Sequence, residues 1–547
     1  MIQSIQAKRL LKMRSAPRNA TLASCLELAL AHAETDGTLS AFCSPTSTAT
    51  WLDLMNSNTH SPSQLDGILT PQRTRDLGLK SSGLPWPERR DIGVSRRAAL
   101  PPEALGGWVA PADRADPVAR LLEGNVGRDA ALVPLRMSRM ASSPFAFLRG
   151  SASVMAADLA TSSPSGLDVI LDGDAHFNNF GLFGTPDAQV VVDLNDFDEV
   201  CIGPWEWDLK RLTASIEVAG RQIGLNQAMR MHAVSGATAG YCSQMHAMAS
   251  MPVLPLWQRR TAVGELMGEF TTASRGRWVA DDAAHTMLRK AEEKARQSNN
   301  EALMNSMTRA DKKLGRVFLE QPPILTKPDA ATRQRVAEAL NEYVETLSLE
   351  RRFMLQRYRV VDVAHRVVGV GSVGLRAYCV LMLGNDGDDA LFLQVKQAAA
   401  PVHAAFAPAL PKDFKHDGRR VVYGQRLMQA VGDPMLGWTS IDGLPFYVRQ
   451  MRNLKGSFVP EKMTDATFAA FSWSFGALLA RAHARTGDAA AISGYCGSGT
   501  DGDEALDLAM QSWARAYADQ TEADHAQLVA AIASGAVPST PDAGDSN

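Results

Sequence analysis

A chain of 547 residues, 45% hydrophobic and 21% charged, has ordinary globular composition and length enough for two or three packed units. Its net charge of −3 gives no global reason to expect a nucleic-acid partner. No apolar run reaches the roughly 20 residues that would cross a bilayer. The six cysteines (Cys25, Cys43, Cys201, Cys242, Cys379, Cys496) form no CxxC pair or Cys/His cluster, which excludes a disulfide frame or zinc site and reads as reduced thiols in a cytoplasmic protein.

Residues 1–85, rich in Ser, Thr and Asn with weak periodicity, predict a poorly ordered extension. Its basic start (Lys8, Arg9, Lys12, Arg14) precedes an apolar piece broken by Glu27, so no signal peptide is expected. Residues 86–125, rich in Pro and Arg, read as a solvated arm opening a catalytic-loop half over 86–350. Arg136, Arg139 and Arg149 follow, near Phe145 and Phe147. Arg139 and Arg149 are candidates for contact with an anionic substrate, with a structural salt bridge as the alternative.

Residues 173–198, GDAHFNNFGLFGTPDAQVVVDLNDFD, carry the strongest chemical signal. Asp174 is followed by His176 and Asn179, and the strand-like run Val190-Val191-Val192 delivers Asp193. A phosphotransferase needs one carboxylate for the acceptor hydroxyl, and an amide oxygen and second carboxylate for Mg²⁺ on the nucleotide phosphates. Asp174 fits the first role, Asn179 and Asp193 the second. Asp196 and Asp198 are further candidates, because period-two alternation would bring them to one side. His176 fits a loop-organising role. The competing account, a Gly/Asp/Asn-rich turn before a hairpin, leaves the downstream acids unexplained.

Residues 205–350 are mostly helical in pattern, notably Gln227–Met248 and Ala330–Leu347, with a solvated charged face through 287–315. Residues 351–460 then predict a β-rich lobe. Gly369, Gly371, Ser372 and Gly374 form a glycine-rich turn, followed by the strand-like Ala377–Leu383. A polar turn over 384–389 leads to the strand-like 390–396, ending in Lys396. Strand, glycine-rich turn, strand, hairpin and strand ending in Lys is the layout of a kinase nucleotide lobe, in which glycines cover the triphosphate and Lys neutralises it, with a plain β-hairpin bearing a surface Lys as the alternative. Residues 446–451 read as a strand entering a hinge. Kinases pair that Lys with a helical Glu, but no Glu occurs from Gln397 to Gly437. Asp413 or Asp417 substitutes, or the partner comes from elsewhere. Residues 461–533 predict C-terminal helices packed under the catalytic loop. One of them carries Phe468, Phe471, Phe475, Leu478, Leu479 and Ala482 at helical spacing and ends in Ala482-His483-Ala484-Arg485. Residues 534–547 read as a disordered tail.

The 173–198 segment resembles the catalytic loop of aminoglycoside phosphotransferases and choline kinases, with pattern His-Gly-Asp-x-His-x-x-Asn and a later hydrophobic strand ending in Asp. Gly203-Pro204-Trp205-Glu206-Trp207-Asp208-Leu209 stands where those families carry Gly-Asp-Pro-x-x-Asp-Leu, and Asp208 fits a loop-anchoring role. Over roughly 85–530 the chain resembles the domain-of-unknown-function 2252 family, through SPFAFLRGSA, GDAHFNNFG, DLNDFDE, GPWEWDLKRL, VGVGSVGLR, FLQVKQA, FYVRQMRNLKG and ARAHARTGD. That family name implies no activity. The kinase-like resemblance implies an α+β, two-lobed protein-kinase-like fold. Its order would be circularly permuted, with the catalytic half first, the nucleotide lobe second and the supporting helix last. The function expected is an ATP- and Mg²⁺-dependent phosphotransferase acting on a small-molecule hydroxyl, without nucleic-acid or membrane partners. The alternatives are a non-catalytic nucleotide-binding scaffold, a nucleotidyl (AMP) transferase and a metallophosphoesterase. The last of these lacks the Gly-Asn-His block it requires.

Overall fold

The computed structural model describes residues 83–540, apart from 267–277, 279, 368, 370, 409, 452–453 and 500–503. The expected extension therefore lies, up to residue 82, outside the described residues, as do 541–547 of the expected tail. Helices and antiparallel strands mix along the described chain, an α+β arrangement.

The first helix, α1 (Trp86–Ala99), buries Gly93. A Cβ there would lie 1.8 Å from the Ala491 carbonyl oxygen, so only glycine allows this crossing. The helices α2 (Val133–Ala141) and α3 (Pro144–Gly150) follow. Ser143 starts α3 by accepting the Ala146 N–H, with Pro144 at the first helical position, where no N–H is needed. Strands β1 (Asp168–Leu171), β2 (Phe180–Gly184), β3 (Val190–Leu194) and β4 (Cys201–Pro204) frame the expected catalytic loop: β1 pairs β4, and β2 pairs β3.

The helix α4 (Trp205–Gln222) is buried from Trp205 to Gly220 although it carries several charged residues. Buried charges require partners. Glu206 accepts from Ser165, Lys210 stacks over Trp513, and Glu217 takes Arg221 and Arg230. The helical pattern over 227–248 becomes α5 (Gln227–Ala249). It is followed by α6 (Asp282–Gln297), the hairpin β5 (Thr308–Asp311) and β6 (Gly315–Phe318), and β7 (Leu325–Thr326). The pattern over 330–347 becomes α7 (Ala330–Glu345).

A six-stranded sheet comes next in the chain. Strands β8 (Arg359–Arg366), β9 (Ala377–Leu383) and β10 (Ala390–Gln397) form a meander. After α8 (Asp417–Met428), strands β11 (Gly437–Ile441) and β12 (Leu444–Gln450) complete the order β11-β12-β10-β9-β8-β7. Alternation gives the sheet two faces. Val380, Met382, Leu393, Val395, Phe446 and Val448 pack on Val336, Leu340 and Tyr343 of α7. Cys379, Leu381, Phe392 and Met451 pack on the other side with Met304 and Phe318. Gln394 and Lys396 belong to this second face.

The short β13 (Gly456–Ser457) then extends the β2–β3 pair. The sequence ends through α9 (Asp465–Thr486), α10 (Ala489–Cys496) and α11 (Glu504–Ala533). The periodic apolar run of α9 is buried throughout, and α9 crosses α5 backbone to backbone: a Cβ on Gly476 would lie 1.9 Å from the Ala237 carbonyl. Beyond α11, Val537 is buried with Met137, Met140 and Leu528. Among the described residues no helix is long and apolar enough to cross a membrane, and Cys201, Cys242, Cys379 and Cys496 are free and buried.

Candidate active site

The loop between β1 and β2 is buried, so its backbone polar groups need partners. Asp208, in the first turn of α4, supplies two: its carboxylate accepts the N–H of Asp172 at 2.7 Å and of Gly173 at 3.0 Å. His483 of α9 bonds the same carboxylate at 3.1 Å through Nε2, while its Nδ1 meets the Tyr241 hydroxyl. Ser215 Oγ accepts from Phe177 N–H at 2.9 Å, and His403 Nε2 donates to the Gly173 carbonyl at 2.9 Å. Gly173 itself has φ +79°, and a Cβ there would stand 2.2 Å from the Glu199 carbonyl. The loop is thus held by three separate elements: α4, α9 and the segment carrying His403.

Within it, Asp174 is half-buried. Arg211 donates to its Oδ1 from Nε at 2.9 Å and from an η nitrogen at 2.5 Å, leaving Oδ2 3.8 Å from His176 Nε2. Burial, opposed by Arg211, raises the Asp174 carboxyl to about 6. The buried His176 is pushed well below the usual imidazole range, first by desolvation and then by Arg149 and Arg211. It is therefore neutral, with Nδ1 accepting the Asn178 N–H. Asn179 spends its amide nitrogen on the Asp174 carbonyl at 2.7 Å, which leaves its side-chain oxygen as the end available to another group.

The three downstream acids part company. Asp193, on β3, accepts the Leu194 N–H and lies within the field of Arg481 and Arg485 of α9; burial still raises it to about 6. Strand β3 ends at Leu194, so strand alternation does not extend to Asp196 and Asp198. Asp196 lines a cavity and is close enough to Asp174 to raise its pKa. Its buried Oδ1 has no hydrogen-bond partner. Asp198 forms an ion pair with Lys396, across 198 residues of sequence, and accepts from Ser372 Oγ at 3.3 Å. Burial raises this carboxyl, but Lys396 prevails, with Tyr447 and Arg449 assisting, and holds it below the ordinary range. Lys396, although buried, is kept above its ordinary value by Asp198.

The glycine-rich turn bridges β8 and β9. Gly369 has φ +72° and Gly374 φ +90°, which suits glycine alone without strain. Arg139 donates to the Gly369 carbonyl at 2.6 Å and Arg128 to that of Val373 at 2.7 Å. A Cβ on Gly371 would lie 3.6 Å from the Arg149 carbonyl, which sets the turn over α3.

Gly369, Ser372, Lys396 and Asp196 line one cavity of about 280 Å³, with Leu182, Phe183 and Gly184 of β2 and with Gln450 and Met451 at the end of β12. Arg366, Lys396, Arg449 and Lys455 outnumber Asp196 and Asp433 around it, a lining suited to a polyanion. Of the residues singled out in the sequence, Asp174, His176 and Asn179 sit on one loop, and Asp196 acts on the charge of Asp174 from the turn after β3. Asp196, Lys396, Gly369 and Ser372 line the cavity, which the three loop residues do not, and Asp193 lies in the field of the α9 arginines. Asp413 and Asp417 face Arg419 and Arg420 instead of Lys396.

Sequence reasoning missed Arg211 as the partner of Asp174, and Arg449 in the cavity wall. The strand alternation of Tyr447 and Arg449 with Phe446 and Val448 was a usable signal for Arg449. Arg211, on a helix 37 residues downstream of Asp174, had none. Among the described residues no three His, Cys, Asp or Glu side chains gather as a metal cluster. A Mg²⁺ ion needs fewer, since it keeps water and substrate oxygens in its shell.

Residues 128–531 match a family described as an uncharacterized protein conserved in bacteria, DUF2252. No curated protein and no solved structure matches the chain.

Proposed function

The chain belongs to the DUF2252 family, whose description carries no activity, and from its site we propose an ATP- and Mg²⁺-dependent phosphotransferase acting on a small-molecule hydroxyl. The observation that carries this reading is the Lys396–Asp198 ion pair, which ties the last strand of the glycine-rich meander to the acids behind the Asp174 loop. It supplies the acidic partner that α8 does not, since Asp417 of α8 is engaged with Arg420; Gln425 of α8 and Gln429 just beyond it line the cavity.

In this reading the fold is protein-kinase-like, two-lobed and circularly permuted. The sheet β8–β12 is the nucleotide lobe, and the turn over 367–376 covers the phosphates. Support for the permutation comes from the end of α9: Thr486 Oγ1 accepts the Ile170 N–H of β1, and His483 bonds Asp208. A helix that in ordinary order would run into the catalytic loop meets it here from the far end of the chain.

The donor set fits Mg²⁺, a hard cation that takes oxygen ligands: the orphaned Asp196 Oδ1 and the Asn179 side-chain oxygen would hold it. Bound there, the ion would neutralise charge developing on the β- and γ-phosphate oxygens. Lys396, which lines the same cavity as Asp196, neutralises the phosphates. Asp174, oriented by Arg211 through Oδ1, keeps Oδ2 for the acceptor hydroxyl and takes its proton. The neutral His176 supports the loop by accepting the Asn178 N–H.

The test is a thermal-shift titration with ATP plus Mg²⁺ on wild type, Asp196→Asn and Lys396→Met. Wild type is expected to be stabilised by about 2.7 kcal/mol at a hundredfold excess over Kd, with both variants losing most of the gain. No shift of the wild type at millimolar nucleotide would sink the reading.

A further inference from the structure

We propose that Arg149 is a catalytic residue, an arginine carried in cis that grips the phosphoryl group in flight between nucleotide and acceptor. The inference rests on the phosphotransferase reading and names a residue for it.

Four arginines line the segment that reaches under the glycine-rich turn, and three of them are spent on the protein itself. Arg128 donates to the carbonyls of Gly124 and Val373, Arg136 to Asn125 and the Gly150 carbonyl, and Arg139 to the Gly369 carbonyl. Arg149 differs. Its Nε, like that of Arg136, is buried without a partner, but unlike the other three its guanidinium makes no hydrogen bond or ion pair at all among the described residues.

Its backbone is nevertheless fixed on both sides. Arg211 donates to the Leu148 carbonyl at 2.7 Å while gripping Asp174, so one guanidinium locks residue 149 to the catalytic carboxylate. Arg136 donates to the Gly150 carbonyl at 3.0 Å. Above, Gly371 approaches the Arg149 carbonyl; below, Phe145 of the same helix meets the His176 ring edge-on at 6.4 Å. The side chain lies within the field of Asp174, Asp196 and Glu461; between the first two of these a transferring phosphoryl group would pass.

A purely structural cation would close on one of those acids, as Arg211 does on Asp174. Leaving the buried Nε of a half-buried guanidinium without a partner is costly, and a ligand anion removes the cost. In the transfer, the bond from the γ-phosphorus to the β–γ bridging oxygen breaks as the bond to the acceptor oxygen forms. The hydroxyl proton goes to Asp174, ADP leaves with the bonding pair, and nothing is oxidised or reduced. The flattened phosphoryl group presents equatorial oxygens, and the planar guanidinium fork matches two of them.

The test compares binding of Mg²⁺·ADP alone with Mg²⁺·ADP plus aluminium fluoride, a mimic of the planar phosphoryl group, in wild type, Arg149→Met and Arg149→Lys. In wild type the fluoride should tighten ADP binding about a hundredfold or more, as transition-state mimics do. Arg149→Met should keep its ADP affinity but lose at least about tenfold of that enhancement. Arg149→Lys, which keeps the charge without the fork, should lose part of it, and reads the same ratio if the Met variant does not fold. Full enhancement in the substituted protein, or an equal loss of plain ADP binding, overturns the role of Arg149 while leaving the phosphotransferase reading intact. A wild type that binds no Mg²⁺·ADP overturns both.

Discussion

The loop over 172–179 and the glycine-rich turn over 367–376, which lines the cavity through Gly369 and Ser372, are held in different ways. In the first, buried side chains from α4, α9 and the 398–410 segment fix the backbone: Asp208 takes two N–H groups and is itself braced by His483, Ser215 takes a third, and His403 takes the Gly173 carbonyl. In the second, arginines reach two carbonyls while Gly369 stands with no atom within 4 Å of where a Cβ would be. One loop is set before any ligand arrives, as the proposed role of Asp174 as base requires. The other is tied through its carbonyls by Arg139, Arg128 and the Asp129 N–H, and leaves open space beside Gly369.

The largest effect expected from this contrast is on chemistry. Asp174→Asn should lower kcat by about 10²–10⁴-fold while leaving nucleotide binding intact, because its geometry is set by Arg211 and the loop. Parallel turnover and nucleotide-binding measurements would separate the two, and a joint loss would mean that the loop does not stand alone.

Glycine substitutions test the contrast in folding energy. Gly173 and Gly369 share a left-handed backbone, at φ +79° and +72°. Gly173→Ala also drives a Cβ into the Glu199 carbonyl, so strain and overpacking together should cost about 3 kcal/mol in urea unfolding. Gly369→Ala meets nothing, and only the conformational cost of about 1 kcal/mol remains. Equal costs would break the comparison.

The pH dependence sharpens it further. In its proposed role as base Asp174 must be ionised to take a proton, and burial raises its carboxyl to about 6. Turnover should therefore fall about tenfold for each pH unit below that point and level off above it. A profile flat from pH 5 to 8 would remove Asp174 from the role of base.

The legibility of the two regions differs for a physical reason. Asp174, His176 and Asn179 fall within six residues, so one loop conformation gathers them and their spacing in sequence was enough. Assigning the acids after β3 needed the exact strand end. With β3 stopping at Leu194, the chain turns; Asp196 enters the cavity, Asp198 meets Lys396, and Asp193 stays with Arg481 and Arg485. The partner of Lys396 was hidden by sequence distance, since no local pattern links residues 198 positions apart. Among the elements, α5, α7 and α9 were readable from apolar period. The β5–β6 hairpin, short and bearing charged residues, interrupts a stretch that reads as mostly helical, because its strands bury little.

The central claim is that these two regions form one Mg²⁺–nucleotide site. The measurement that tests it most directly is a crystal structure with a non-hydrolysable ATP analogue and Mn²⁺, the metal located by its anomalous signal. The account predicts the metal peak against Asn179 and Asp196, with the triphosphate between Lys396 and the Gly369–Gly374 turn. A metal on Asp193, or a nucleotide bound away from Lys396, would contradict it.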